Sequence, residues 1–217
     1  MGITAAAYGV VCYVVFLGSF LYAIGFIGDL VVPKTIDSDP SATLPEALVI
    51  NLVLLGLFAV QHSVMARPGF KAVWTRIVPR SAERSTYVLI SSLLLVLIIW
   101  KWQAIPAVVW DVFSPALAGI LVALFWLGWL ILLLSTFIIN HFDLFGLRQA
   151  YLRMRGIEYT PVKFVEGSFY KYVRHPLYLG FVIAFWATPH MSVGTSCSRL
   201  RPLDTYSLGS SLRNAIL

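Results

Sequence analysis

The sequence predicts an all-α, polytopic transmembrane helical bundle of about five spans with an amphipathic helix at the cytoplasmic interface. Three observations carry that expectation. Of the 217 residues, 59% are hydrophobic and only 12% charged, a composition too apolar for an ordinary soluble domain. Apolar stretches with almost no charge recur at about 5–32, 44–66, 86–106, 115–139 and 177–193. At 1.5 Å per helical residue, each of the first four covers a hydrocarbon core of about 30 Å, and the last is borderline. Finally, eleven of the 16 basic residues fall in two connecting segments. These are Arg67, Lys71, Arg76, Arg80 and Arg84, then Arg148, Arg153, Arg155, Lys163, Lys171 and Arg174.

The other loops set Lys34 and Lys101 against Asp37, Asp39, Glu46 and Asp111. That alternation places the N-terminus and both basic loops in the cytoplasm, the pattern of a multi-pass membrane protein. Anionic lipid headgroups are a sufficient partner for most of this charge, so the net charge of +6 does not call for nucleic acid.

The first span lacks a basic region ahead of it and is long enough to cross, so it reads as a helix and not as a cleavable signal. It ends near Asp29, and Pro33 with Asp37-Ser38-Asp39-Pro40-Ser41 makes a short outer loop. The second span carries Gln61-His62-Ser63 near its cytoplasmic end. Polar side chains there are costly in lipid and turn to a protein interior or cavity, so His62 is a candidate for chemistry as much as for structure. Trp100, Trp102 and Trp110 cluster around the outer end of the third span as an aromatic belt. Trp126 and Trp129, inside the fourth, read as packing residues. Cys12 and Cys197 give no disulfide framework, and no metal-ligand spacing is present.

The segment from Asn140 to His175 is the informative one. Asn140 precedes Asp143 as a cap precedes an acidic first turn. Phe142, Phe145, Leu147, Tyr151 and Met154 form an apolar face opposite Arg148, Arg153 and Arg155, and Gly156 is a stop. That describes a short helix lying on the membrane surface. Thr160-Pro161 turns the chain, and Ser168 is placed to cap a further turn. The segment closes on Arg174-His175-Pro176-Leu177-Tyr178-Leu179-Gly180. Here a permanent charge and a titratable ring precede a proline that opens the next helix, and Gly180 permits close approach to the backbone. A basic interfacial anchor is the alternative reading of Arg174-His175-Pro176 alone.

Arg174-His175-Pro176-x-Tyr178-x-Gly180 resembles the cofactor motif of the isoprenylcysteine carboxyl methyltransferase-like and NnrU-like integral-membrane methyltransferases. Within that superfamily three further strings are similar to the methanethiol S-methyltransferase family. They are Gln61-His62-Ser63-Val64-Met65-Ala66-Arg67-Pro68, Glu83-Arg84-Ser85-Thr86-Tyr87, and Asn140-His141-Phe142-Asp143-Leu144-Phe145-Gly146-Leu147-Arg148-Gln149. The likeness runs from about residue 8 to Gly194 and includes Ala184-Phe185-Trp186-Ala187-Thr188-Pro189. It implies methylation of a small thiol, methanethiol to dimethyl sulfide, with S-adenosylmethionine as cofactor in a bacterial inner membrane. It also implies cofactor contacts from Arg174, His175, Tyr178 and Gly180, and a thiol side lined by Asn140, Asp143 and Gln149. His141, Arg148 and His62 are the candidate catalytic residues. Only the thiolate reacts, and a nearby cation or a neutral imidazole favours it. Two other readings stay open: a superfamily member acting on prenylcysteine carboxylates or lipid amines, and a haem-binding or transport subunit using His62, His141 and His175.

After Gly194 the character changes, which divides the chain into a membrane domain, 1–194, and a tail, 195–217. The tail has no apolar run and carries Arg199, Arg201 and Arg213 against Asp204. On the outer side of a fifth span that charge contradicts the positive-inside pattern. The resemblance implies a sixth membrane helix here, followed by a cytoplasmic acidic segment. Codons exist for all 23 tail residues such that, with one extra base in front, the neighbouring frame reads HILFSLATAGYIFAGIQLEERDL. That is an apolar helix ending in carboxylates, so the tail reads as the product of a one-base loss, with impaired activity as the expected consequence.

Overall fold

The computed structural model describes residues 2–38, 40–161 and 175–193. Its elements in chain order are α1 (Gly2–Gly28), α2 (Leu44–Ala66), α3 (Pro68–Trp74), α4 (Glu83–Lys101), β1 (Val108–Asp111), α5 (Pro115–Ile139), α6 (His141–Leu144), α7 (Leu147–Met154), α8 (Pro176–Trp186) and β2 (His190–Ser192). Among the described residues, four helices are long and apolar enough to cross a membrane: α1, α2, α4 and α5. Large apolar side chains along them, such as Val14, Leu52, Val96 and Leu130, are exposed, as a helix facing hydrocarbon requires. The chain forms a multi-pass membrane protein of helical architecture, as its long apolar runs predict.

The boundaries differ from expectation in three places, each for a local reason. The third span ends at Lys101 and not near 106, because Pro106 disfavours helix at the residues before it. The basic loop between the second and third spans contains an unanticipated helix, α3, opened by Pro68. The fifth apolar stretch is helical only from Pro176 to Trp186. Eleven residues cover about 16 Å, roughly half a hydrocarbon core. Pro189 stops the helix, and His190–Ser192 pairs antiparallel with Val108–Asp111. This two-stranded ribbon has no precedent in the alternation of the sequence, since both strands are too short to show a period.

The described residues divide into two compact units. One comprises the described residues up to Tyr22, Ile50–Lys101 and 136–161. Here α1, α4 and α7 interlock through small residues and hydroxyls. Tyr8 Oη lies 2.9 Å from Thr86 Oγ1, and Gly9 leaves room for the Ala150 methyl. Gly146, at φ +84°, sits so close to Ser85 that a Cβ would lie 2.6 Å from its amide nitrogen. No L side chain fits that position in either backbone shape or space.

The other unit comprises Ala23–Val49, Trp102–Ser135 and, of the later described residues, 175–193. Its tightest contact is between α5 and α8. A Cβ on Gly128 would lie 2.5 Å from the Ala184 amide nitrogen, and one on Gly180 would lie 2.8 Å from the Gly128 carbonyl oxygen. Two glycines therefore bring the helix backbones together, as small residues do in membrane bundles. Trp129 closes the same seam against Phe181 and Phe185. The β-ribbon is fixed by Trp110, whose Nε1–H donates to the Thr188 carbonyl at 3.0 Å, and by a 2.9 Å hydrogen bond between His190 Nδ1 and Asp111 Oδ2.

Candidate active site

Residues 140–160 build a polar cluster around one carboxylate. Asn140 leaves α5 at φ +109°, a backbone region that asparagine tolerates better than most residues. Its Oδ1 accepts from the Asp143 amide at 3.1 Å, the cap expected from the sequence. The carboxylate of Asp143 is thereby turned inward, and the residue is only 6% exposed. Arg84 Nη1 donates to Oδ2 at 2.6 Å, and Arg148 Nη1 donates to Oδ1 at 3.1 Å. Gln149 Nε2 and Tyr159 Oη add longer contacts, each at 3.3 Å. Arg148 continues to the Thr160 carbonyl at 2.8 Å and lies over the Tyr159 ring. One carboxylate thus sets two guanidiniums, and the cluster retains a net positive charge. Gln149 Oε1 is buried without a hydrogen-bond partner.

The expected single surface helix is two. It breaks at Phe145-Gly146, where Gly146 takes its left-handed conformation, and Gly156 ends the second piece at φ +70°. The apolar residues of this segment are largely open to the surroundings, as an interfacial face is. Phe142, Tyr151 and Met154 are exposed, whereas Gln149 and Ala150 are buried. Arg148 turns in to Asp143 and so does not share an outward basic face with Arg153 and Arg155. The reason is electrostatic: a carboxylate with two cations outweighs the preference set by helical spacing.

His141 lies beside this cluster in an aromatic shell. Its ring stacks on Phe137 with centroids 4.5 Å apart and meets Phe145 and Tyr13 edge-on. The residue is 7% exposed, and both ring nitrogens are engaged. Nδ1 lies 2.8 Å from Thr136 Oγ1 and Nε2 lies 2.7 Å from Tyr13 Oη. Burial holds its pKa below the ordinary 6.5, so the neutral ring is favoured.

Of the other sequence-predicted residues, His62 projects from α2 with its ring against Phe58 and Tyr87, and among the described residues no ring contact or hydrogen bond joins it to the 140–149 cluster. Arg174 lies outside the described residues, as do Ser168 and the whole tail from Gly194. His175 caps α8 without a side-chain cap bond, its ring edge-on to Tyr178 at 5.8 Å. Tyr178 is 67% exposed, while Gly180 is buried in the α5–α8 seam. Arg84, Tyr159, Tyr13 and Thr136 escaped the reading of site residues. For Tyr13 a signal existed, a hydroxyl inside an otherwise apolar span; for Arg84, which the family-like string already contained, it was a cation in the first turn of one.

The first unit thus combines a fixed guanidinium pair with a buried imidazole whose neutral form is favoured, and the second, by itself, presents an exposed tyrosine in the first turn of α8. The described portion of α8 tests whether a sulfonium nucleoside fits. Tyr178 presents an open ring for stacking, and the His175 side chain makes no cap hydrogen bond to the first-turn amides, a position that suits a carboxylate.

Comparison with known proteins gives the family. The family model described as "NnrU protein" matches residues 50–200. The chain is 60% identical over 187 residues to the methanethiol S-methyltransferase of Mycobacterium tuberculosis, covering 86% of this chain and 77% of that one. It is 55% identical over 186 residues to that of Crocosphaera subtropica, covering 86% and 73%. Against methanethiol S-methyltransferase 2 of Bradyrhizobium diazoefficiens it is 54% identical over 187 residues, covering 86% and 72%. No solved structure matches the chain significantly. With the family model spanning most of the membrane domain and relatives sharing more than half their aligned residues with it, this chain belongs to the NnrU protein family of membrane proteins, alongside the methanethiol S-methyltransferases.

Proposed function

We propose that the chain is a methyltransferase of the bacterial inner membrane that converts methanethiol to dimethyl sulfide with S-adenosylmethionine, its N-terminus and basic loops in the cytoplasm. The observation that carries the reading is the Asn140–Gln149 cluster, in which relatives of this name supply the substrate and the geometry supplies the means. When bound, S-adenosylmethionine contributes an electrophilic methyl group on a cationic sulfur. Arg174, His175, Tyr178 and Gly180 are the residues assigned to hold it: Tyr178 through its open ring, and Gly180 by seating α8 on α5. Transfer to a thiolate is a displacement that needs alignment and dryness more than covalent help.

On the thiol side, Arg148 offers a cation that favours the thiolate, and Asp143 fixes where that cation points. Asn140 sets the turn, and Gln149 lines it. His141, neutral and buried, is the acceptor nearest to this cluster, and His62 is a weaker candidate on α2. Because both nitrogens of His141 are in hydrogen bonds, it has none to offer a haem iron. The tail, 195–217, is assigned to a shifted reading frame and the activity of the chain as written to a reduced level.

The test is headspace dimethyl sulfide from membranes given methanethiol and S-adenosylmethionine, for the chain with its frame restored after Gly194. Prenylcysteine and lipid-amine acceptors run in parallel. Methylation of either acceptor in place of methanethiol would replace this reading with another branch of the superfamily.

A further inference from the structure

Tyr13 is the one hydroxyl among the described residues that reaches His141 Nε2, at 2.7 Å. It comes from α1, far away in sequence from the loop that carries the rest of the cluster. Its ring is half-buried and flanked by Phe16, His141 and Phe145, so the hydroxyl sits at the edge of an apolar aromatic shell. A small uncharged thiol suits such a shell, and water does not. His141 itself is enclosed: Thr136 takes Nδ1, Tyr13 takes Nε2, and Phe137 covers a ring face at 4.5 Å. An imidazole with both nitrogens occupied cannot meet a substrate directly. Anything that gives it a proton must do so through one of its two partners, and Thr136 is itself buried.

We propose that Tyr13 is the catalytic residue that touches the thiol, relaying its proton to His141; this rests on the thiol methyltransferase reading above. With the ring proton on Nδ1 and directed at Thr136 Oγ1, Nε2 accepts from the Tyr13 O–H. The thiol S–H then donates to Tyr13 Oη. As the S–H bond breaks, its electron pair stays on sulfur, the proton passes to Oη, and the Tyr13 proton passes to Nε2. The products are a thiolate, a neutral tyrosine and an imidazolium. The thiolate is the nucleophile for the methyl group of a sulfonium donor, and the imidazolium afterwards returns its proton through Tyr13 to water. Burial keeps His141 neutral at rest and therefore able to accept. Phe16 and Phe145, stacked with centroids 4.0 Å apart, set the size of the shell and favour a small alkyl group.

Two measurements test this on the full-length chain, alone and with its frame restored. In the first, ring-¹⁵N-labelled histidines are observed in nanodiscs without any methyl donor, the His141 signal being assigned with His141→Gln. Hydrogen sulfide, the smallest thiol analogue and more acidic than an alkanethiol, is the probe. Its addition near neutral pH should move His141 toward the imidazolium position in the unsubstituted protein and leave it unmoved in Tyr13→Phe. An unmoved His141 in both proteins overturns the relay. In the second, Tyr13→Phe should lower methanethiol turnover about 10²-fold, the usual worth of a positioned acid–base group. The defect should shrink towards none for hydrogen sulfide at a pH where it is already ionised. An equal loss with both substrates would make Tyr13 a structural residue and overturn the proposal. Absence of any thiol methylation by the unsubstituted, frame-restored protein would remove the methyltransferase reading, and the histidine signal would still decide Tyr13.

Discussion

One guanidinium nitrogen of Arg84 reaches both the side chain and the backbone of Asp143, at 2.6 Å to Oδ2 and 2.9 Å to the carbonyl oxygen. It joins the first turn of α4 to α6, across 59 residues of sequence. The same carboxylate holds Arg148 on its other oxygen, so one acidic side chain fixes both the fold of this corner and the cation assigned to the thiol.

Asp143→Asn should therefore destabilise the protein and misplace Arg148 at once. A hydrogen bond to a charged group is worth about 1.5–3 kcal/mol. The two arginine side chains retain 34% and 27% exposure, so water replaces part of the loss and the lower end of that range applies. Thermal unfolding in detergent should show a clear drop for Asp143→Asn and almost none for Arg153→Gln, whose side chain is exposed. Equal melting of both variants would remove Asp143 from this role.

The α5–α8 seam predicts an unusual response to a small substitution. Gly→Ala inside a helix normally stabilises, since glycine costs up to about 1 kcal/mol there. At Gly128 and Gly180 the added methyl meets backbone at 2.5 and 2.8 Å, which cannot move aside as a flexible side chain can. Overpacking of this kind costs about 1–3 kcal/mol. Gly119 lies on the same α5 with open space around it, and Gly119→Ala should be neutral or stabilising. Unfolding midpoints of the three variants check the contrast.

How far these features were legible in the sequence depends on their range. Four long spans and the cap at Asn140 follow from composition and local residue preferences, and the structure has them. Gly156 ends its helix for the same local reason. The split of the surface helix at Gly146 depends on Ser85, more than 60 residues away, and no local pattern contains it. Arg148 belonged, by helical spacing, to a basic face; its inward turn depends on Asp143 being desolvated. Gly180 was legible as a close-approach residue, but the backbone it lies against is that of Gly128 and Leu132. The β-ribbon of Val108–Asp111 and His190–Ser192 joins strands of four and three residues, too short for an alternation to show. Tyr13 meets His141 only once α1 is packed.

The neutral state of His141 has a pH consequence. Its folded-state pKa is depressed below 6.5 by burial, so the unfolded chain takes up the proton first. The stabilisation it contributes is then fully present above about 6.5 and is lost as pH falls through the folded-state value. The melting temperature of the unsubstituted protein, taken relative to His141→Gln, should fall between about pH 7.5 and pH 5. A rise on acidification would mean that the fold favours the imidazolium.

Membrane orientation is testable by labelling. In a background lacking Cys12 and Cys197, a single cysteine at position 76 should be shielded from an impermeant thiol reagent in intact cells, and one at position 38 should react. The motivation is the loop charge alternation. Labelling at 76 in sealed cells would reverse the assigned topology and put the Asp143 cluster on the outer face.

The last prediction concerns the tail. The chain as written should make little or no dimethyl sulfide, and insertion of one base after Gly194 should restore it. The described part of α8 is an 11-residue helix, about half the length a lone span needs. In the shifted frame the following text is apolar for long enough to add a membrane helix, and it closes on the acidic segment Glu-Glu-Arg-Asp-Leu. The written tail offers instead seven serine and threonine residues and three arginines, which hydrocarbon does not accept without partners. Matched membrane expression and headspace analysis after methanethiol addition compare the two directly. Equal turnover would show that residues 1–194 contain the whole catalytic apparatus and that the shifted frame has no functional weight. Restored turnover, together with sequencing of the coding DNA around codon 194, would assign the loss to a single base.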